Sequence, residues 1–252
     1  MTDSLRKDAA GAQLDIESPS VLCFDATGTL IELRESVGEL YHRAALSHGV
    51  RLPAWRLDDA FRRVLRHAPP LGTEGTDLES RKAGEFAWWS ERIRQTFQAA
   101  DSTVRFEDFA TFARELFDSF DSGSAWQIRE GIPELLQTLR GRSHRMVVIS
   151  NFDHRLPKIL KELGLEAFFE DVFLPAQVGA AKPARPLFDH AAERLHVPLG
   201  QLTYLGDEPA ETLEAIARHG LRTLDIRDIE SRSPLPEPIE SACASPRVDG
   251  VD

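Results

Sequence analysis

The chain has 252 residues, 42% of them hydrophobic, and a formal net charge of −11. That length suits one large domain or a domain carrying an insertion. The acidic balance excludes a nucleic-acid backbone or an anionic membrane as a general partner, because both demand basic patches; a phosphorylated small molecule remains compatible, since one site can be positive within an acidic whole. The amino terminus has no apolar signal-like core, and no run approaches the ~20 apolar residues of a membrane helix. Cys23 sits in an apolar run and Cys243 in the tail. This usage suits a reducing, cytoplasmic setting better than a disulfide or a two-cysteine metal site. A monomer or weak homodimer is expected.

In chain order, residues 1–18 read as a mobile end. The first predicted element is a buried strand, Val21-Leu22-Cys23-Phe24, which runs into Asp25 and a glycine turn, Ala26-Thr27-Gly28-Thr29. Residues 34–126 then show four helical stripes. Ser36 and Glu39 form a capping box before Val37, Leu40, Tyr41, Ala44 and Ala45. Leu57, Ala60, Phe61, Val64 and Leu65 make the second stripe. Thr76 and Glu79 are a second capping-box candidate, ahead of Phe86, Trp89, Ile93 and Phe97. Phe109, Phe112, Ala113, Leu116, Phe117 and Phe120 complete the set. Four amphipathic helices can bury their faces on one another as an inserted bundle, with Trp88 and Trp89 in its core.

The remainder alternates. Helices are expected at 132–141, 154–163, 186–196 and 209–219, and strands at 145–150, 171–174, 202–206 and 221–225. Alternation with short connections implies a parallel sheet covered by helices on both faces. The core is therefore 19–33 plus 127–230, with the helical insertion at 34–126. Residues 231–252, rich in proline and serine, read as a disordered tail.

Chemistry gathers where apolar segments end. Asp25 follows the first strand. Ser150 and Asn151 follow Met146-Val147-Val148-Ile149. Lys182 and Pro183 follow Gly179-Ala180-Ala181. Asp207 follows Leu202-Thr203-Tyr204-Leu205-Gly206. Open α/β sheets place ligand chemistry at the carboxyl ends of their strands. A carboxylate, a hydroxyl, a lysine and a second carboxylate, in that order, make a phosphoryl- or acyl-transfer site. Each has a plainer reading as well: Asp25 as a turn cap, Ser150 and Asp207 as helix caps, Lys182 as a solvated lysine. The eight histidines show no metal spacing and read as structural.

This ordered set resembles the haloacid dehalogenase-like hydrolase superfamily, over about residues 20–225. The phrase Val148-Ile149-Ser150-Asn151-Phe152-Asp153, with Trp126-Gln127 upstream, looks like a phosphatase-like branch with a helical cap. The resemblance implies a Rossmann-like sheet with the strand of Asp25 at its centre and a cap closing over the site. It implies Asp25 as nucleophile, with Lys182 neutralising charge and Ser150 and the Asn151 amide donating to the transferring group. Thr27 and Gly28 would lie in the phosphoryl loop. Mg²⁺ would be held by Asp25, the Thr27 backbone carbonyl and Asp207. Glu211, or Glu208 in the same turn, is a candidate for a further acid, and Arg62 for an anion-binding arginine of the kind dehalogenases use.

One position departs from the phosphatase pattern. Those members carry a second Asp two residues after the nucleophile, where this chain has Thr27. A threonine cannot serve as general acid near neutral pH, and such assistance is worth roughly 10²–10⁴ in rate. The expected activity is hydrolysis of a small phosphorylated metabolite through an aspartyl-phosphate, slow or specialised. A non-catalytic binder of phosphorylated ligands and a 2-haloacid dehalogenase are the alternatives.

Overall fold

The computed structural model describes residues 20–71 and 75–230. The predicted mobile ends and Cys243 lie outside the described residues. In chain order the elements are β1 (Val21–Phe24), β2 (Ile31–Leu33), α1 (Val37–Ser47), α2 (Ala54–Arg66), α3 (Leu78–Ala100), α4 (Phe109–Ser119), β3 (Trp126–Ile128), α5 (Ile132–Gly141), β4 (Arg145–Ile149), α6 (Leu156–Glu162), β5 (Val172–Phe173), α7 (Pro175–Val178), α8 (Arg185–Leu195), β6 (Leu202–Gly206), α9 (Ala210–Ala217), β7 (Arg222–Asp225) and α10 (Ile226–Glu230).

Five strands form a parallel sheet in the order β5-β4-β1-β6-β7, so the strand of Asp25 is central. Side chains alternate across a strand, and β1 shows the consequence directly. Leu22 and Phe24 pack on one face with Ile132, Leu136 and Leu139 of α5 and Leu156, Ile159 and Leu160 of α6. Val21 and Cys23 pack on the other with Leu187, Phe188 and Ala191 of α8 and Ile216 of α9. Burial on both faces explains why β1 reads as an unbroken apolar run rather than an alternating one. It also makes Cys23 a core residue, its thiol pushed well above the ordinary range by burial.

The four helices α1 to α4 lie between β2 and β3, which pair antiparallel with Leu33 opposite Trp126. Their apolar stripes meet in a cluster of their own that includes Tyr41, Leu57, Ile93, Phe97, Phe112 and Leu116. The Ser36–Glu39 capping box at α1 is as the sequence predicts. At α3 the box is one residue later: Asp77 caps and Ser80 reciprocates. The Thr76 hydroxyl is turned instead toward Asp77 Oδ2, at 3.4 Å. A carboxylate is the stronger acceptor for helix amides, so Asp77 takes the cap. Among the described residues no helix is long and apolar enough to cross a membrane.

Most boundaries fall within one or two residues of the sequence expectation, and two of the differences have a clear local cause. The strand predicted at 171–174 ends at Phe173, because Pro175 opens a short helix (α7) in its place. The helix predicted from 154 begins at Leu156, since Asp153 to Arg155 are held in an ionic turn.

Candidate active site

Asp25 is presented by the sheet itself. Its N–H donates to Leu205 O at 2.8 Å, one residue beyond the β1–β6 ladder. The loop after it closes tightly: Leu30 and Ile31 N–H groups both donate to Ala26 O, and Gly28 N–H donates to Ile31 O. Gly28 has φ +82°. A Cβ there would meet Asp207 Oδ2 at 2.2 Å, so a glycine is required for conformation and for space.

Lys182 comes from the loop between α7 and α8. Its Nζ donates to Asp25 Oδ1 at 2.7 Å and to Glu208 Oε1 at 2.7 Å. It also reaches the Tyr204 hydroxyl, which donates to Glu208. Asn151 positions this lysine: its side-chain amide donates to Lys182 O at 2.9 Å and its Oδ1 accepts from Lys182 N at 2.7 Å. Ser150 is buried at the end of β4 and accepts from Phe152 N–H at 3.3 Å.

Burial shifts the acids together. Burial raises the Asp25 carboxyl above its ordinary range, opposed chiefly by the charge of Lys182. Burial also raises Asp207, with the negative charges of Asp25 and Glu208 adding to it. The Tyr204 hydroxyl is pushed well above the ordinary range by burial and by the same carboxylates, and so stays a proton donor. Strong perturbation of several groups in one cleft is the electrostatic mark of a functional site.

The family model of haloacid dehalogenase-like hydrolases matches residues 19–220. The chain belongs to this family. Haloacid dehalogenase-like hydrolase domain-containing protein 3 of Mus musculus is 34% identical over 190 residues, covering 74% of this chain and 73% of the mouse protein. Rhythmically expressed gene 2 protein of Drosophila melanogaster is 26% identical over 201 residues, 75% of each chain. Among solved structures, a putative beta-phosphoglucomutase from Thermotoga maritima aligns with a TM-score of 0.60 at 19% identity, covering 89% of this chain and 92% of that one. A putative HAD-hydrolase from Bacillus subtilis bound to magnesium aligns with a TM-score of 0.59 at 17% identity, over 81% and 86%. At these identities the structural likeness speaks for the fold alone.

In this haloacid dehalogenase-like hydrolase, Asp25, Asp207 and Glu208 each offer a ligand atom, all within 4.8 Å of one another. Glu208 Oε2 is buried without a hydrogen-bond partner, and the missing Cβ of Gly28 makes the room that Asp207 occupies. A hard-oxygen set with an unpartnered carboxylate oxygen fits Mg²⁺, which needs few protein ligands and keeps its waters.

Other predicted residues fall elsewhere. Glu211 is exposed in the first turn of α9 and outside this acidic group, because the helix carries it away from the strand end; Glu208 stands there instead. Arg62 is exposed on α2 and does not line the cavity, because it follows Phe61 on the outward face of the helix. Gly28 spends its N–H on Ile31 and is not available as a phosphoryl donor; Asn151 spends its side-chain amide on Lys182, which leaves its backbone N–H as the amide that could donate. The Thr27 side chain is exposed at the cavity mouth.

The cavity above Asp25 has a volume of about 440 Å³ and lies between the strand ends and the helical insertion. Trp89, expected in the bundle core, lines it instead and donates from Nε1 to Asp153 Oδ2 at 2.9 Å. Tyr204 escaped the sequence reading. Its one signal was a hydroxyl-bearing residue inside an apolar strand, where an aliphatic side chain would pack as well.

Proposed function

We propose that the protein is a Mg²⁺-dependent phosphohydrolase acting on a small phosphorylated molecule. The observation that carries this reading is the 2.7 Å contact between Lys182 Nζ and Asp25 Oδ1, with Asp207 and Glu208 beside it. A buried carboxylate held by one lysine and flanked by two acids is poised for attack on an electrophile whose negative charge needs neutralising. The free oxygen of Asp25 attacks phosphorus, the ester oxygen leaves, and an aspartyl-phosphate results. Water then attacks that phosphorus, releasing phosphate and restoring the carboxylate. Lys182 offsets charge on the phosphoryl oxygens, and the Ser150 hydroxyl donates to them. Asn151 is a positioning residue that holds the Lys182 backbone. Asp25, Asp207, the Thr27 carbonyl and, in the reading from this geometry, Glu208 would hold the cation, which supplies further charge neutralisation when bound.

Thr27 offers no proton to the departing oxygen, so good leaving groups are favoured. It also favours a second reading, a binder that retains phosphorylated ligands without turnover. The test is phosphate release from 4-nitrophenyl phosphate with and without Mg²⁺, in the wild type and in Asp25→Asn. Mg²⁺-dependent release that Asp25→Asn abolishes is expected. Phosphate binding without release would support the binder. Glycolate released from chloroacetate, with no phosphate chemistry, would establish a dehalogenase instead.

A further inference from the structure

The cavity is unlike a sugar site. Its floor carries the charged groups, but its walls are hydrocarbon: Val37, Phe61, Leu65, Ile93, Leu116 and Phe117 all face it from the helical insertion. The polar groups among these walls are already committed. Trp89 Nε1 donates to Asp153, and Trp126 Nε1 donates to Phe120 O at 3.0 Å. Arg155 donates to both Asp153 oxygens, at 2.8 and 2.6 Å, and to Phe117 O. Asp153 and Arg155 are themselves buried, at 1% and 6% exposure, so this pair is not solvated to rearrange freely. Among the described lining residues the Tyr41 hydroxyl is the polar wall group left over. A ligand with several hydroxyls would leave most of them unsatisfied here, and unmade hydrogen bonds in a dry site weaken binding strongly.

Resting on the phosphohydrolase reading, we infer that the substrate is the monophosphate of a largely hydrocarbon, ring-bearing alcohol or phenol, with at most one hydrogen-bonding substituent directed at Tyr41, and not the phosphate of a sugar or polyol. The volume agrees. A cavity of roughly 150 Å³ takes one benzene, so about 440 Å³ admits a phosphoryl group and one or two rings. The leaving-group chemistry agrees independently. A phenol loses its proton near pH ~10, far more readily than an aliphatic alcohol, so an aryl ester departs without the acid that Thr27 fails to supply.

Binding of non-hydrolysable phosphonates, measured by titration calorimetry on the full chain with Mg²⁺, tests the inference apart from turnover. Naphthylmethylphosphonate should bind at least tenfold more tightly than methylphosphonate, and a polyhydroxylated alkylphosphonate no more tightly than methylphosphonate. Phe61→Ser and Leu65→Asn, at half-buried wall positions, should each reduce the naphthyl-to-methyl affinity ratio. Equal affinity for the naphthyl and methyl compounds, or tighter binding of the polyhydroxylated one, overturns the inference and leaves the phosphohydrolase reading standing. Binding of no phosphonate at all overturns both.

Discussion

Lys182 Nζ donates to Asp25 Oδ1 at 2.7 Å, joining two residues 157 positions apart in the chain. The lysine is also paired with Glu208, so the two ends of this contact are not equivalent. Asp25→Asn leaves Lys182 a carboxylate partner; Lys182→Met leaves the buried Asp25 and the half-buried Glu208 without their cation. Removing one partner of a buried pair costs on the order of 3 kcal/mol. Urea denaturation should therefore show Lys182→Met destabilised by about that amount and Asp25→Asn much less, while both abolish turnover. Equal stability losses would mean that Glu208 does not share the lysine.

Gly28→Ala forces a side chain into a backbone with φ +82° and places its Cβ 2.2 Å from Asp207 Oδ2. The loop or the aspartate must move. The expected outcome is at least tenfold weaker Mg²⁺ binding by calorimetry, with roughly 1 kcal/mol lost in stability from the strained conformation. Unchanged Mg²⁺ affinity would remove Asp207 from the cation site.

Thr27→Asp places a carboxyl where the departing ester oxygen would pass. Protonation helps most when that oxygen is basic, so hydrolysis of alkyl phosphates should rise by about 10²-fold or more and that of 4-nitrophenyl phosphate by much less. In the wild type, log kcat/KM across substituted phenyl phosphates should fall steeply with leaving-group pKa. A shallow wild-type slope would show that another group already supplies the proton.

Glu85, on α3, is buried among the helices and accepts from His154 N–H at 3.2 Å, with the His154 ring Nδ1 at 2.6 Å. Burial raises its carboxyl above the ordinary value of 4.5. The folded chain thus keeps this proton to higher pH than the unfolded chain. As pH rises from about 4.5 through the titration of the folded carboxyl, the unfolded state ionises first and stability falls. Glu85→Gln should flatten that decline in a series of urea midpoints taken from pH 4.5 to 8. An unaltered slope would place the cause elsewhere.

The central place of the Asp25 strand was implied by the family resemblance and is seen in the strand order; the sequence by itself determined the sheet, its helical cover and the position of Asp25 at a strand's end. Each rests on local rules: apolar runs too short for helices, caps before amphipathic stripes, and strand ends punctuated by glycine and polar residues. It also singled out Ser150 and Asp207, because each carries its chemistry directly beside such an ending, and Lys182, which the structure places in the loop between α7 and α8 rather than at a strand end. Tertiary structure alone decided what these groups do to one another. Asp25 lies beside Tyr204 and Glu208 because the parallel register of β1 and β6 lays their ends side by side, and Lys182 reaches all three from the loop after α7. The Asn151 side chain is drawn to the Lys182 backbone because two loops meet there, 31 residues apart. Helical periodicity marked Phe61, Leu65 and Trp89 as inward-facing but could not distinguish a packed core from a cavity wall. That distinction depends on how far the helices stand from the strand ends, a distance set by the contacts of α1 to α4 with each other and of α3 and α4 with α7 and the turn after β4.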